Sequence, residues 1–370
     1  MDEVETIVVG AGVIGLAIAR HLAGRGHEVL ILEREAAIGQ HVSSRNSGVI
    51  HAGIYYPKGS AQGRLCLPGK EMLYDYCATR HVGHQRCGKL TVAPDRNHLA
   101  GLQDLVERGA ANGMEDLYLI SGDELRAWEP EVTGAGAMVS PSSGIVDAPG
   151  LMMSLLGEAE ASGAVLALNT GFDAARVVAR GFEVSAGGMW LGCRNLINAA
   201  ALGAWDVARG IEGLDPNLIP PRNLAKGSYF SIAGRSPFST LIYPMPEVGS
   251  LGVHSVQDLG GGVRFGPNME WVDRVDYTVN PALGPSFEAA IRRYWPGLPD
   301  GALQPDMSGI RPRIWGPGSP KREFEFQAEA DHGVKGLLNL FGFESPGLTA
   351  CLAIADAARQ LLENGGTGWD

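Results

Sequence analysis

The segment at residues 6–33 constrains the fold of this chain more than any other part of its sequence. An apolar, β-branched run at 7–9 leads through a glycine-rich turn into a helical apolar pattern, and a second apolar run at 29–32 ends in Glu33. This order predicts a strand, a turn, a helix and a second strand, which is the unit that binds dinucleotides in doubly wound α/β folds. The acidic residue after the second strand is placed to accept hydrogen bonds from a ribose.

Three glycines give the turn its predicted function. Gly10 permits the tight turn, Gly12 lets a pyrophosphate approach the backbone, and Gly15 lets the helix pack closely against the strand. The free N–H groups at the start of the helix, at Val13 and Ile14, and the helix dipole favour a pyrophosphate anion there. The segment therefore predicts a bound dinucleotide, and it does not by itself distinguish FAD from NAD.

Composition narrows the class of protein. The chain has 370 residues, 45% of them hydrophobic, and a formal net charge of −11, so it has the size for two domains and lacks the basic character that suits a nucleic-acid backbone. No apolar run reaches the roughly 20 residues of a membrane span, and the first residues lack the basic start of a signal peptide. Five scattered cysteines without a CxxC pair favour reduced thiols. We predict a cytoplasmic protein, with peripheral membrane contact left open.

Segments with the nucleotide-binding pattern occur at the start, middle and end of the chain, and strand-rich segments lie between them. The run at 222–265 contains several short strands of the hairpin kind, which indicates an antiparallel sheet in a separate unit. We predict an α/β chain (α+β overall) with a Rossmann-like FAD/NAD(P)-binding domain and an inserted substrate domain built on a mainly antiparallel sheet. The predicted domains are 1–82, 145–220 and 308–370 for FAD binding, and 83–144 and 221–307 for substrate binding.

Nine motifs, in order along the chain, carry a resemblance to a known family. They read SxxNSGVIHAGIYYPKGS (43–60), GKLTVA (88–93), SGIVD (143–147), NAAALGAWDVA (198–208), LIYPMP (241–246), LGVHSVQD (251–258), GPN (266–268), GIRPRI (309–314) and FGFESPGLTACLAI (341–354). On these residues the chain resembles the D-amino-acid-oxidase (DAO) family of FAD-dependent oxidoreductases over nearly its whole length, and within it the L-2-hydroxyglutarate dehydrogenase/oxidase-like proteins. Where that branch usually has Gly-His-Asn, this chain has Ser44-Arg45-Asn46, and the serine–serine–arginine run at 43–45 is similar to glycerol-3-phosphate dehydrogenases of the same superfamily.

The resemblance implies that FAD is the cofactor and that several segments contact it. The loop 43–53 would run along FAD toward its isoalloxazine ring, and the turn 342–349 would stabilise negative charge on the reduced flavin. Besides the glycine turn, the residues assigned to FAD in this way are Glu33, Arg34, Ser44, Arg45, Asn46, Ser47, Val177 (by its backbone, next to adenine), Ala199, Ala200, Gly203, Arg311, Gly347, Leu348 and Thr349.

Two histidines are candidates for the base that takes the hydroxyl proton of a substrate. His51 lies in the loop that the family places beneath the flavin, and His254 lies in the predicted strand 251–255, whose alternation puts Gly252 and His254 on one face. An imidazole titrates near neutral pH, which suits a base, so we predict that one of the two acts, with His51 favoured. The alternative, in which both only orient the substrate or pack, stays open.

Arg311 is the candidate for holding a substrate carboxylate, because a guanidinium can make two parallel hydrogen bonds to it. It stands in Gly309-Ile310-Arg311-Pro312, which matches a GxRP-like position of the family, whereas Arg313 fits a surface salt bridge better. Weaker candidates for holding a second anionic group are Tyr229, Tyr243 and Lys226.

A possible metal site and a possible covalent flavin link both have stronger structural explanations. His81, His84 and Cys87 have regular spacing but lack a fourth partner nearby, so we predict no metal site. Cys351 lies inside the last predicted helix, which favours core packing over a covalent flavin link.

The predicted function is the oxidation of a small anionic acid. The resemblance implies hydride transfer to flavin from the alpha carbon of a small L-2-hydroxy acid, with L-2-hydroxyglutarate as the specific prediction. The electron acceptor is left open between oxygen, a quinone and a protein. The alternative enzyme oxidises glycerol 3-phosphate, an amino acid or an amine on the same fold, and the alternative outside enzymes is a non-catalytic flavoprotein in a complex.

Overall fold

The computed structural model describes residues 2–246 and 252–369. Its strands are β1 Glu3–Val9, β2 Val29–Leu32, β3 Val49–Ile50, β4 His84–Gln85, β5 Lys89–Ala93, β6 Tyr118–Ser121, β7 Gly136–Ser140, β8 Gly144–Val146, β9 Val165–Ala167, β10 Phe172–Val178, β11 Gly181–Ala186, β12 Met189–Asn198, β13 Ile211–Glu212, β14 Asn223–Ser231, β15 Leu241–Pro244, β16 His254–Gln257, β17 Val263–Gly266, β18 Glu270–Val272, β19 Gln304–Arg313, β20 Glu325–Gln327 and β21 Leu337–Phe341. Its α-helices are α1 Val13–Ala23, α2 Ala61–Arg80, α3 Leu99–Ala111, α4 Gly122–Trp128, α5 Ala148–Ala161, α6 Ala204–Arg209, α7 Gly284–Arg292, α8 Glu329–His332 and α9 Cys351–Glu363.

The largest sheet is organised around β1. Its strand order is β13-β10-β11-β12-β1-β2-β9, with β21 beside β12 and β20 beside β21. The pairs β1–β2, β1–β12, β2–β9 and β12–β21 are parallel. A parallel pair that is adjacent in sequence needs a crossover, and α1 supplies it between β1 and β2. The predicted Rossmann-like arrangement is confirmed.

Both faces of this sheet are buried. Side chains alternate along a strand, so Ile7 and Val9 pack on one face with Trp205, while Val8 packs on the other with α1, α5 and α9. The continuous apolar run at the start of the chain is therefore the sequence pattern of a strand that is covered on two sides.

A five-stranded antiparallel sheet forms the core of the inserted part. Its order is β16-β17-β14-β18, with β19 also pairing with β14, and every ladder is antiparallel. Aromatic side chains cover it, among them Phe230 and Phe287, whose ring centroids are 4.7 Å apart. The predicted mainly antiparallel sheet is confirmed.

The hairpin-like pattern of the strand run 222–265 suggested a single antiparallel sheet. Its strands are instead divided between two sheets. β15 leaves the run and pairs in parallel with β5, in a four-stranded sheet of order β15-β5-β7-β6. Local sequence shows that a segment is extended, but the partner of β15 lies far upstream in the chain and leaves no local signal. This four-stranded sheet brings β5 and β15 together beside the cavity described below.

The domain boundaries remain a proposal, with one amendment. β19 pairs with β14 from Gln304 to Arg313, with one register shift between Ser228 and Phe230, so it belongs to the five-stranded sheet along its whole length. The predicted boundary at 308 cuts through this strand, and we place the return to the cofactor domain after it.

Candidate active site

The turn after β1 is packed so closely that two of its glycines admit no side chain. Gly10 has a φ of +106°, and a Cβ there would lie 2.7 Å from the carbonyl oxygen of Ala199. A Cβ on Gly15 would lie 2.0 Å from the carbonyl oxygen of Gly10. Gly12 is different, because it lines a cavity together with the first helical residues. Close packing thus requires Gly10 and Gly15, whereas Gly12 leaves the backbone open to a ligand.

Glu33 directly follows β2 and braces this turn. Its carboxylate accepts hydrogen bonds from the N–H groups of Ala11 at 2.9 Å and Glu35 at 3.0 Å. A carboxylate has about four lone-pair sites, so acceptor capacity remains for a ribose. Arg34 is exposed and pairs with Glu35, and a Cβ on Gly203 would lie 3.8 Å from its Nη1. These predicted cofactor residues therefore lie together.

Ser43 is a cavity residue that the sequence prediction missed. Its Oγ accepts a hydrogen bond from the N–H of Val13 at 2.9 Å, which caps the start of α1, and it lines the cavity. The predicted neighbour Ser44 instead donates to the carbonyl oxygen of His41 and does not line the cavity. Two adjacent serines in a loop carry no periodic signal, so sequence alone could not tell which one turns inward.

Arg45 lies at the same end of the cavity. Its guanidinium carbon is 3.9 Å from the ring centroid of Tyr277, and its Nη1 donates weakly to the carbonyl oxygen of Ser308 at 3.5 Å. Its Nε is buried and has no hydrogen-bond partner among the described residues. An unpartnered buried N–H is costly, so a donor at this place is matched to an acceptor on a ligand.

Asn46 and Ser47 complete this loop. The side chain of Asn46 donates to the carbonyl oxygen of Ser43 at 2.6 Å and accepts from the N–H of Gly48 at 2.8 Å. Asn46 therefore holds the loop conformation while it lines the cavity with Ser47.

The remaining predicted cofactor residues divide into two groups. Ala199, Gly347 and Leu348 line the cavity, and Ala200 lies next to Ala199. Val177 does not line it: it lies five residues into β10, and its side chain packs beside Gly213. Thr170, two residues before β10, donates its N–H to the carbonyl oxygen of Glu33, and at about 3.3 Å per strand residue Val177 lies well beyond that contact, so the structure does not bring Val177 to the site.

His51 lies where the loop reaches the other end of the cavity. Its N–H donates to Oγ1 of Thr349 at 3.0 Å, and its Nε2 is 3.1 Å from Oγ of Ser345. Burial, and then the charges of Lys89 and Arg311, lower the pKa of His51 from 6.5 to about 3. The imidazole is therefore neutral near pH 7, with a lone pair on one ring nitrogen, and burial opposes its charged form. Thr349 is fully buried and ties the last turn to this loop.

His254 is the first residue of β16, so the predicted strand 251–255 is displaced. Leu251 lies outside the described residues, and Gly252, with a φ of +73°, precedes the strand, so the argument from alternation does not hold. Both Gly252 and His254 still line the cavity. Nδ1 of His254 is 3.0 Å from the carbonyl oxygen of Gly252, which can only accept, so Nε2 is the acceptor of the neutral ring. Burial is the main cause that lowers the pKa of His254 to about 3.

Arg311 and Arg313 share one carboxylate unequally. Arg313 holds Glu344 with two hydrogen bonds, from Nε at 2.9 Å and Nη2 at 3.2 Å, whereas Nε of Arg311 is 3.6 Å from the same group. Arg313 is 9% exposed, so its salt bridge is buried rather than on the surface, as the sequence had suggested. Arg311 lines the cavity with its donors largely uncommitted, which suits an incoming carboxylate.

The weaker anion candidates also separate. Tyr229 and Tyr243 line the cavity, and Tyr243 stacks on His254 with ring centroids 3.9 Å apart. Its hydroxyl is buried and has no hydrogen-bond partner among the described residues. Lys226 does not line the cavity, because its ammonium donates to the carbonyl oxygen of Thr278.

These residues surround one cavity of about 850 Å³. It extends from the glycine turn at Gly12 to His51, His254 and Arg311, and it lies near the upper end of the roughly 300–1,000 Å³ usual for ligand sites. The unpartnered Arg45 Nε and Tyr243 hydroxyl border it. The donor turn at one end and the acid–base groups at the other fit a dinucleotide with a small acid beside it.

Other features bear on the site indirectly. Residues 2–246 and 252–369 contain no group of three or more His, Cys, Asp or Glu that could hold a metal ion. Cys351 is fully buried at the start of α9, and burial raises the pKa of its thiol to about 12. Within the same residues, the helices are all too short or too polar to cross a bilayer.

Gly10→Ala is expected to abolish dinucleotide binding. The new Cβ would meet the Ala199 carbonyl in a backbone conformation that costs about 1–3 kcal/mol for a non-glycine residue. Gly26→Ala is the matched control, because Gly26 has a φ of +88° and no atom within 4 Å of the added Cβ. Nucleotide released on denaturation and the melting temperature measure both variants. Equal nucleotide content in the two variants would contradict the assigned role of Gly10.

Comparison with known proteins gives consistent results. The family model of FAD-dependent oxidoreductases (DAO) matches residues 5–361. The chain is 39% identical to the mitochondrial L-2-hydroxyglutarate dehydrogenase of Arabidopsis thaliana, over 96% of this chain and 82% of that protein. It is 34% identical to L-2-hydroxyglutarate dehydrogenase of Salmonella houtenae, over 71% of this chain and 63% of that protein.

Two solved structures share the fold. L-alpha-glycerophosphate oxidase from Mycoplasma pneumoniae, which has FAD bound, superposes with a TM-score of 0.87 at 23% identity, covering 100% of this chain and 96% of that one. Glycine oxidase from Bacillus cereus superposes with a TM-score of 0.83 at 19% identity, covering 99% of each chain. The same architecture thus accompanies different substrates, and substrate choice must be argued from the site.

Proposed function

The chain belongs to the DAO family of FAD-dependent oxidoreductases, and on that premise we propose that it oxidises the alpha carbon of a small L-2-hydroxy acid, L-2-hydroxyglutarate. The observation that carries the proposal is that Arg311, His51 and His254 line the same cavity as the glycine turn. The relatives at 39% and 34% identity bear the name of this activity, which supports the choice of substrate.

FAD is the cofactor of the family, and when bound it supplies the hydride acceptor. The residues that would hold it are those at the donor-rich end of the cavity, namely Gly12, Val13, Ser43, Arg45 and Ala199, with Gly347 and Leu348 from the turn before α9. Backbone N–H groups at a helix start and one guanidinium are suited to a pyrophosphate.

Arg311 would fix the substrate in one pose. A guanidinium that has only a 3.6 Å contact to Glu344 can turn two donors toward a carboxylate. Held in this way, the acid presents its hydroxyl-bearing carbon toward the histidines that line the cavity.

His51 would take the hydroxyl proton. Its low pKa keeps it neutral, and the hydroxyl of Ser345 at 3.1 Å orients the ring. That hydroxyl is also 3.4 Å from the Tyr56 hydroxyl, which gives the proton a route away from the buried site. His254 is 4% exposed and stacked on Tyr243, so we assign it the role of a hydrogen-bond partner to the substrate.

The serine–serine–arginine run at 43–45 does not argue for glycerol 3-phosphate. Ser44 does not line the cavity, and Arg45 lies two residues after Ser43, whose Oγ accepts a hydrogen bond from the N–H of Val13 at the glycine turn. These residues would therefore meet the cofactor rather than the substrate, so we keep glycerol 3-phosphate and amines as rivals only.

Anaerobic reduction of the bound flavin tests the proposal. The panel contains L-2-hydroxyglutarate, its D enantiomer, glycerol 3-phosphate, glycine and L-proline, and flavin bleaching is followed by absorbance. We expect L-2-hydroxyglutarate to react fastest, because it alone combines a carboxylate for Arg311 with an α-hydroxyl of the right hand. Faster bleaching by glycerol 3-phosphate or an amino acid would assign a rival, and no bleaching by any compound would favour the non-catalytic flavoprotein.

The cytoplasmic location is also kept as a proposal. The Arabidopsis relative is named as mitochondrial, so fractionation of the source cells, with activity followed through the fractions, is the appropriate test.

A further inference from the structure

Lys89, the first residue of β5, carries a buried charge that the proposed reaction does not use. Its side chain is among the fully buried ones, with 1% of the residue exposed. Its Nζ lies 4.7 Å from the ring centroid of Tyr55 and 4.9 Å from that of Tyr243. In the part of the chain that the structure describes, its ammonium has neither an ion pair nor a hydrogen bond. Burial of an ammonium without a counter-ion is costly, so its presence calls for a functional reason.

Among the residues that the structure describes, no group that faces Lys89 balances its charge. The titratable groups around it are Tyr55 and His51 from the loop after β3, Cys66 from α2, Tyr243 from β15 and His254 from β16. Burial raises the pKa of Tyr55 and of Cys66 to about 12, and that of Tyr243 well above 10. Both histidines have pKa values lowered to about 3. All five groups are therefore uncharged at pH 7.

The part of the cavity that His51, His254 and Arg311 line, close to Lys89, thus has an excess of positive charge. Glu344 supplies a partly buried carboxylate there, and Arg313 holds it with two hydrogen bonds. Arg311 and Lys89 remain as two cations. Of the other charged residues that line the cavity, Arg45 is half-buried on the ring of Tyr277, and Asp104, Arg108, Lys321, Arg322 and Glu323 are exposed or half-exposed, so water and salt screen these five.

We propose that Lys89 is a specificity-determining residue that acts through the Tyr243–His254 stack, supplying the second positive charge that makes this cavity prefer an acid with two carboxylates over an acid with one. The inference rests on the proposed function for the reaction itself and adds the residue that selects a dicarboxylate. Lys89 does not line the cavity, so its action is electrostatic and needs no contact with the substrate.

The preference should depend on pH. Burial lowers the pKa of Lys89 to about 7, so its charge is present below that pH and is lost as the pH rises through it. A dianion bound nearby favours the charged form and moves the loss somewhat higher. Because the histidines titrate near pH 3, they do not contribute to a change between pH 6 and 9.

Calorimetric binding of glutarate and pentanoate to the FAD-loaded protein tests the proposal. Both probes have five carbons and lack a hydroxyl, so neither is oxidised, and they differ in the second carboxylate. We expect the ratio of their affinities in the wild type to favour glutarate at pH 6 and to fall about tenfold by pH 9, the size expected for unit charges roughly 10 Å apart at an effective dielectric of about 20. Lys89→Met should show the low ratio at every pH. Lys335→Met, at an exposed lysine, is the control and should match the wild type.

Lys89→Met removes an unpaired buried charge, so the variant is expected to fold. Lys89→Arg keeps the charge above pH 7 and should restore the preference at pH 9. A wild-type ratio that does not change with pH, or a Lys89→Met variant that weakens both ligands by the same factor, would overturn the proposal. The wild-type series requires no variant at all. Failure of L-2-hydroxyglutarate to bleach the flavin would instead reject the proposed function, while a pH-dependent glutarate preference would still support Lys89.

Discussion

His51→Ala is expected to slow reduction of the bound flavin by L-2-hydroxyglutarate about 10²–10⁴-fold, the usual effect of losing a positioned general base. The variant should retain FAD, because His51 is remote from the glycine turn and contributes its N–H, rather than its side chain, to the bond with Thr349. Anaerobic stopped-flow absorbance at saturating substrate measures the rate, and absorbance of the purified protein measures FAD content.

His254→Ala is the matched comparison from the same cavity. If His254 only donates or accepts a hydrogen bond, its loss should slow the reaction about 2- to 12-fold, which corresponds to a single ordinary hydrogen bond. A large loss in His254→Ala with a near-normal rate in His51→Ala would move the base to His254. Normal rates in both variants would exclude a histidine base and reject the mechanism.

The pH profile of this reaction should differ from the one that a histidine normally gives. The sequence predicts an inflection near neutral pH, since an unperturbed imidazole titrates there. Burial instead lowers the pKa of both His51 and His254 to about 3, so in the free enzyme both are already neutral at pH 5 and above. Lys89 is a buried group beside the cavity whose pKa is lowered to about 7. Activity on a dicarboxylate should therefore be limited on the alkaline side, by loss of a cation, rather than on the acid side.

Sequence predicts this fold well where the deciding interactions are local. The strand, turn and helix at 6–33 can be recognised from adjacent residues. Gly10 and Gly15 are needed there because a side chain at either position would clash with the same unit or with the end of the neighbouring strand. Parts of β14 and β17 are likewise visible as short extended runs, at 228–232 and 262–265. The parallel pairing of β15 with β5 is not visible, because it joins parts of the chain that share no local pattern.

The same distinction separates the predicted site residues. His51 and Arg311 stand in ordered motifs, and the structure brings both to one cavity. Ser43 was missed in favour of Ser44, because only the direction of the side chain tells them apart. Lys89 was missed because its significance depends on the lack of a counter-ion beside it among the described residues. Only the tertiary structure, in which the loop, the helix and the sheet surround Lys89, reveals this.

Arg311→Lys is expected to weaken binding of L-2-hydroxyglutarate about 10- to 150-fold, because lysine keeps the charge but loses the paired donors of the guanidinium, and hydrogen bonds to charged groups contribute roughly 1.5–3 kcal/mol. The melting temperature should change little, since among the described residues the Arg311 side chain has only a 3.6 Å charged contact, to Glu344, and is partly exposed. Substrate titration of flavin reduction gives the affinity, and thermal unfolding of the FAD-loaded protein gives the stability.

Arg313→Lys provides the control, because the two arginines lie on the same strand but are committed differently. Arg313 gives two hydrogen bonds to the partly buried Glu344 and a third to Sδ of Met269, and its guanidinium carbon lies 4.5 Å from the ring centroid of Trp315. Its replacement should lower the melting temperature, since a partly buried carboxylate loses a bidentate partner, and should weaken substrate binding less than Arg311→Lys does. If the two variants show the reverse pattern, with Arg311 needed for stability and Arg313 for affinity, the substrate carboxylate is held by Arg313, and the pose that places the alpha carbon near His51 must be rebuilt from that residue.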